Sequence, residues 1–311
     1  MTGRHYLVTG GAGFIGSHLC DALLALGHQV RVLDDLSTGR PENLDPRVTM
    51  QHGDVSDPGT VRASVAGTDG VFHLAAIASV ARGNEDWFGT HRINQGGTVA
   101  VLDAARGAGR IPVVYASSAA IYGDTGEYIA REDRTPAPMT AYGADKLGSE
   151  LHARVASVVH GVPTLGLRFF NVYGPRQDPS SPYSGVISIF ARRIGARESI
   201  TLHGDGTQTR DFVHVADVVA HLLAAMRRIE DPGAPGATGP FNVCTGRPTS
   251  IRALAEHLAA LNDLPLRFDM GPARAGDIRH SCGSPAMASA ALGVTARVEL
   301  AEGLATLLAR D

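Results

Sequence analysis

The sequence predicts an α/β fold, a doubly wound parallel sheet followed by a smaller C-terminal α/β lobe, and three observations carry that prediction. Short apolar runs alternate with stretches of helical period as far as Phe170, the order that builds parallel sheets. The first run, from His5 to Val8, breaks at Thr9-Gly10-Gly11-Ala12-Gly13-Phe14-Ile15-Gly16 and resumes with helical spacing. From Gly174 to Gly185 the composition shifts to Pro, Gly and Ser, which marks departure from the sheet. With 311 residues the chain has the length for two unequal cores. The expected division is 1–173 and 174–311, with a strand near 241–244 returning to the sheet.

The elements follow in order. Gly10, Gly13 and Gly16 leave the backbone free of Cβ atoms where a pyrophosphate comes close, and a helix starting near Phe14 and Ile15 offers unpaired N–H groups to it. The helix from Ser17 to Leu26 is followed by Gly27 as a cap, and a second strand, Gln29 to Leu33, ends at Asp34-Asp35. An acid about 20 residues beyond the glycines is placed to bind an adenosine ribose. Asp34 repels a 2′-phosphate and favours NAD over NADP, with Arg31 and Arg40 nearby as the counterargument. A third strand, Val48 to Val55, carries Asp54 at its end, either toward an adenine amine or as part of a cap for the helix Gly59 to Val65. The fourth, Gly70 to Ala76, ends in Leu74, Ala75 and Ala76, small enough to let a cofactor pass. A helix is expected from Asp86 to Gly107, with Asn94 either beside the cofactor or as a satisfied amide bracing the neighbouring strand.

The fifth strand, Ile111 to Ser118, runs into two hydroxyls, and a helix from Tyr142 to Val159 carries Tyr142 and Lys146 one turn apart. An ammonium one turn from a phenol, together with an oxidised nicotinamide, stabilises phenolate and makes Tyr142 a general base. Ser118 can share a hydrogen bond with the same substrate hydroxyl and pass its proton on. Thr164 to Phe170 is a sixth strand ending at Asn171, an amide able to donate and accept. Further expectations are a helix from Val186 to Ile194, a short strand Ile200 to Gly204, a helix running to Met226, a linker from Glu230 to Pro240, a strand Phe241 to Cys244, and a helix capped by Ser250. Arg210 and Arg274 are the candidates to hold a diphosphate, since planar guanidinium groups bind phosphate bidentately, with a surface arginine as the alternative for either. His203 has no second ligand at metal spacing, so no metal is expected.

Net charge of −3 gives no basic field for nucleic acid, so small molecules are the expected partners. Cys20, Cys244 and Cys282 are far apart and odd in number, which suits a reducing compartment. No stretch approaches a membrane span, and the first strand begins too early for a signal peptide, so the expected location is the cytoplasm.

The chain resembles the extended short-chain dehydrogenases/reductases of the nucleotide-sugar epimerase/dehydratase family, Rossmann-like enzymes. It is similar to the UDP-glucose and UDP-N-acetylglucosamine 4-epimerase type along essentially its whole length. The matching motifs are the glycine turn, Ser117-Ser118-Ala119-Ala120-Ile121-Tyr122-Gly123, Tyr142-Gly143-Ala144-Asp145-Lys146, Arg168-Phe169-Phe170-Asn171-Val172-Tyr173-Gly174-Pro175-Arg176, Arg210-Asp211-Phe212-Val213-His214-Val215 and Arg274-Ala275-Gly276-Asp277. The resemblance implies NAD as cofactor, a UDP-sugar as substrate, Asn171 and Arg176 on that substrate, and the strand of Leu202 and His203 holding uracil by its backbone. It further implies that Ser281 borders the pocket for the hexose C2 substituent, where a small side chain admits an N-acetyl group.

Among the chemistries this resemblance allows, elimination is disfavoured because Ala119-Ala120 stand where dehydratases of the family carry Asp-Glu. A uronic-acid epimerase or decarboxylase is the alternative, with Arg82 or Arg176 on the carboxylate. A non-catalytic dinucleotide sensor predicts loss of Ser118, Tyr142 or Lys146, and all three are present. The helices Asp86 to Gly107 and Tyr142 to Val159 carry more apolar surface than one domain covers, which together with the resemblance implies a homodimer through a four-helix bundle.

Overall fold

A computed structural model describes residues 3–126, 129–178, 185–231, 239–272 and 278–307. The chain begins β1 (His5–Thr9), α1 (Phe14–Ala25), β2 (Gln29–Asp34), β3 (Thr49–His52), α2 (Pro58–Val65) and β4 (Gly70–His73). It continues through α3 (Val80–Glu85), α4 (Trp87–His91), α5 (Gly97–Gly107), β5 (Val113–Ser118), α6 (Ala141–His160), β6 (Thr164–Phe169) and β7 (Asn171–Tyr173). Then come α7 (Val186–Gly195), β8 (Ile200–His203), β9 (Thr209–His214), α8 (Val215–Glu230), β10 (Phe241–Val243), β11 (Pro248–Ser250) and α9 (Ile251–Leu261). The last elements are β12 (Phe268–Gly271), β13 (His280–Ser281), α10 (Ala286–Leu292) and α11 (Leu300–Ala305).

Seven parallel strands form the main sheet in the order β10-β6-β5-β4-β1-β2-β3. The winding reverses between β1 and β4, and that switch opens a crevice at their carboxyl ends. Two cores clamp the sheet. On one side Leu19 and Leu23 of α1 and Val218, Leu222 and Met226 of α8 pack on Val8, Phe72 and Val114. A second core joins Val61 and Val65 of α2, Val101 and Ala105 of α5 and Ala153 and Ala156 of α6 to Leu7, Val71 and Val113. The doubly wound expectation is met, and β10 returns to the sheet beside β6, Phe241 against Leu167. So does α8, whose apolar face belongs to the sheet although its sequence lies beyond residue 173.

A third core ties the rest together, with Ile187, Phe190 and Ile194 of α7 against Ile200, Leu202, Leu254 and Leu258. In this lobe β11, β9, β13 and β7 form one small sheet and β8 pairs with β12 in another. Ser250 caps α9 as expected, accepting from the Ala253 N–H. The expected linker falls largely in residues 232–238, outside the described residues.

The helix expected from Asp86 to Gly107 is continuous over residues 87–107, with one π-helical turn inside it. Asp86 caps α4, the turn Arg92–Gly96 is π-helical, and α5 starts only after it. The wider turn sends Ile93 into the crevice and buries Asn94 beneath the loop that follows β4. No helix of the described residues is long and apolar enough to cross a membrane.

Candidate active site

The glycine turn is as close to its neighbours as the spacing requires. Gly10 has φ +69°, and a Cβ there would stand 2.8 Å from the Ala75 nitrogen. At Gly16 it would stand 2.2 Å from the Gly10 carbonyl oxygen. Gly13 begins α1 without a side-chain cap, so the first-turn amides of Phe14, Ile15 and Gly16 have no intrahelical partner and open on a cleft of about 450 Å³. Val55, Leu74, Ala75 and Ala76 line the same cleft.

At its adenosine end lie Asp34, Asp35 and Asp54. Asp34 also braces the glycine turn, its two oxygens accepting from Ala12 N and Leu36 N at 2.9 Å each. Asp35 accepts from Ser37 N and its hydroxyl. Asp57, not Asp54, caps α2, which leaves Asp54 in a local turn with Ser56 at the cleft wall. The two arginines that argued for a 2′-phosphate are committed elsewhere. Arg31 donates to the carbonyls of Ser64 and Ala66, and Arg40 pairs with Asp178 at 2.8 Å. The acids and the bare glycine backbone fit NAD, and among the described residues no arginine lines this cleft. Asn94 does not line it: its amide holds both the N–H and the C=O of Ile77, a brace for the cleft wall.

At the other end the β5 strand and α6 meet. Thr140 caps α6, and its first turns place Tyr142 and Lys146 over the end of β5. The Lys146 Nζ donates to the Ala116 carbonyl at 2.9 Å and lies 5.7 Å from the Tyr142 ring centroid. Burial pushes the Lys146 ammonium down to about 8, with Asp145 opposing. Burial raises the Tyr142 phenol, and its hydrogen bond with the Ser118 side chain lowers it. Beside them His73, 2.8 Å from Thr9 Oγ1 and 3.1 Å from Thr98 Oγ1, is held neutral by burial, its imidazole pushed down to about 3.

Asn171 borders this cleft and also a second pocket of about 400 Å³ in the smaller lobe. Arg210 and His203 line the second pocket together with Phe190, Arg193, Thr201 and Gln208, none of which the sequence reading selected. Arg193 sits among apolar residues of α7 in a pattern that signals only an amphipathic helix. Leu202 is corrected: its side chain is in the lobe core, and Ile200 and Gly204 on either side bond toward β12, so its own backbone faces that strand. The edge away from β12 belongs to Thr201 and His203, with Gln208 donating to the His203 carbonyl at 3.0 Å. Arg176 is also corrected. It turns to Asp21 of α1 at 2.8 Å and lines neither pocket. Ser281 is half-buried and stands in register with Arg210 across β13 and β9. Arg274 lies outside the described residues. Among the described residues no cluster of metal ligands occurs.

Residues 6–244 match the model of the NAD dependent epimerase/dehydratase family, and the chain belongs to that family. It is 38% identical over 307 residues to a UDP-glucose 4-epimerase of Mycolicibacterium smegmatis, covering 96% of each chain. Among solved structures it is similar to the Thermotoga maritima UDP-glucose 4-epimerase with UDP-glucose (TM-score 0.92, 34% identity, 97% of this chain and 96% of that one). It is also similar to a UDP-N-acetylglucosamine 4-epimerase of Methanobrevibacter ruminantium in complex with UDP-N-acetylmuramic acid (TM-score 0.91, 30% identity, 98% and 97%).

Proposed function

We propose that this chain is an NAD-dependent 4-epimerase of UDP-hexoses that interconverts UDP-glucose with UDP-galactose, and UDP-N-acetylglucosamine with UDP-N-acetylgalactosamine, through a transient 4-keto sugar. The observation that carries the proposal is the meeting of Ser118, Tyr142 and Lys146 at the end of a dinucleotide cleft that adjoins, at Asn171, a second pocket holding two arginines. The chemistry NAD supplies when bound is acceptance of the C4 hydride and its return to the opposite face of the sugar. Tyr142 takes the C4 hydroxyl proton, directly or through Ser118, and gives it back. Lys146, with its ammonium at about 8, is mostly cationic at neutral pH, and a cation one helical turn from a phenol favours the phenolate. Arg193 and Arg210 hold the diphosphate, since guanidinium groups match phosphate oxygens, and the edge of β8 at Thr201 and His203 lies toward the base.

A uronate substrate needs a cation beside the sugar. Arg176 is paired with Asp21 and Arg82 lines neither pocket, so a neutral hexose is favoured. By the family resemblance a small side chain at Ser281 admits an acetamide, and the test is kcat/KM on UDP-glucose, UDP-N-acetylglucosamine and UDP-glucuronate for wild type and Ser281→Tyr. The variant loses the N-acetyl activity by about tenfold or more and keeps UDP-glucose turnover, because the ring fills the volume the acetamide needs. A wild type that prefers UDP-glucuronate overturns the hexose reading.

The same proposal includes a homodimer. On α6, Leu151, Val155, Val158 and Val159 form one stripe at helical spacing and are 48–77% exposed, with Trp87 and Phe88 of α4 exposed as well. A second copy covers this face. Light scattering at micromolar concentration reads a dimer, and Val155→Asp with Val158→Asp reads a monomer. Location in the cytoplasm accords with three buried free thiols at Cys20, Cys244 and Cys282.

A further inference from the structure

A buried charge network stands behind the reacting groups, and the proton-transfer scheme leaves it unused. Tyr142, Lys146 and Glu150 are each four residues apart and share one face of α6. That face lies along three consecutive residues of β5. Tyr142 lines the cleft together with Ser118, Lys146 donates to the Ala116 carbonyl, and the Ser117 hydroxyl donates to Glu150 Oε1 at 2.5 Å. Glu150 is gripped from the far side by Arg168 of β6, whose Nε and Nη2 reach its two oxygens at 2.9 and 2.8 Å. Arg168 is in register with Ser117 across the two strands, so the carboxylate ties helix, catalytic strand and neighbouring strand at one level. The third guanidinium nitrogen donates to the Tyr122 hydroxyl at 2.7 Å, which donates to Asn242 Oδ1 of β10. Arg168, Glu150 and Ser117 are 5%, 8% and 1% exposed, so little water competes for these bonds.

A buried ion pair of this kind seldom gains stability over an apolar pair of the same volume, because desolvation cancels the attraction. What it gives is geometry. We propose that Glu150, held by Arg168, is a positioning residue that sets the height of α6 against the end of β5 and thereby the alignment of Tyr142 with Ser118. Glu150 lines neither pocket and acts through Ser117 and the helix. This rests on the catalytic assignment of Ser118 and Tyr142 made above.

The test is a double-mutant cycle between Glu150→Gln and Ser118→Ala, read as kcat and KM for UDP-glucose. Glu150→Gln alone lowers kcat by between about ten- and a hundredfold, the usual cost of a small misplacement, and leaves KM within about twofold. In the Ser118→Ala background the same change costs less than about threefold, since the alignment it served is already gone. Glu150→Leu with Arg168→Met leaves no unpaired charge and so keeps the fold, and it shows the same loss of kcat. Normal kcat in either variant, or an undiminished loss in the Ser118→Ala background, overturns the proposal. Wild type and Tyr142→Phe are run alongside: inactive wild type or active Tyr142→Phe strikes the catalytic assignment, whereas the failures above strike only the role of Glu150.

Discussion

The two pockets that meet at Asn171 are built in opposite ways. At the reacting end, Lys146 and the Ser117–Glu150–Arg168 group are buried and bonded to backbone or to one another. In the other pocket the charge comes from more exposed arginines. Arg193 makes a 3.3 Å contact with Glu198, itself on the surface, and Arg210 donates to the carbonyls of Thr209 and Ile278. One end spends its bonds on fixing atoms where a proton must move. The other presents groups whose task is attraction, where a flexible cation serves.

The largest effect that sharpens this contrast is at Tyr142. Tyr142→Phe lowers kcat by about 10²–10⁴ while KM and bound NAD stay near wild type, because the base is lost and the ring is kept. Turnover near the wild-type rate would break the contrast at its catalytic end. Next comes Arg193→Ala, which raises KM for UDP-glucose by about tenfold or more, the equivalent of one charge-assisted hydrogen bond, and leaves kcat within about twofold. A fall in kcat instead would give the lobe a part in the chemistry.

The smallest effect concerns His73, the neutral imidazole behind the reacting end. An unfolded histidine titrates near 6.5, whereas burial and then Lys146 hold His73 at about 3. Between those values the unfolded chain binds a proton that the folded one refuses, so stability falls as pH falls, by up to about 1.4 kcal/mol per unit from this group. His18, His214 and His221 are also lowered by burial and act in the same direction. Urea unfolding at several pH values should show a shallower acid slope in His73→Asn than in wild type. An equal slope would remove His73 from the account.

Much of the first pocket is legible in sequence because its signals are local. A strand, three glycines and a helix must follow one another within a dozen residues, and Tyr142 and Lys146 need only one helical turn to share a face. The second pocket has no such signature. Arg193, Thr201 and Gln208 come from a helix, an edge strand and a loop, and only the packing of α7 on β8 brings them together. Leu202 shows the limit of reading a strand without its partner, since pairing with β12 decides which residues face the open edge. Arg176 is similar: its motif matched, yet Asp21 on α1, far away in sequence, took its charge.

By itself, then, the sequence determined the order of the first six strands, the nucleotide turn, the caps at Ser250 and Gly27, and the spacing of the reacting groups, all of which follow from backbone stereochemistry over short separations. Tertiary structure alone decided the π-helical turn at Arg92–Gly96, the packing of α8 on the main sheet, the partners of Arg31, Arg40 and Arg176, and the tie from Glu150 to Arg168. The reason is that a charged or amide side chain reaches several candidate partners in an unfolded chain, and burial selects the one whose bonds replace those to water.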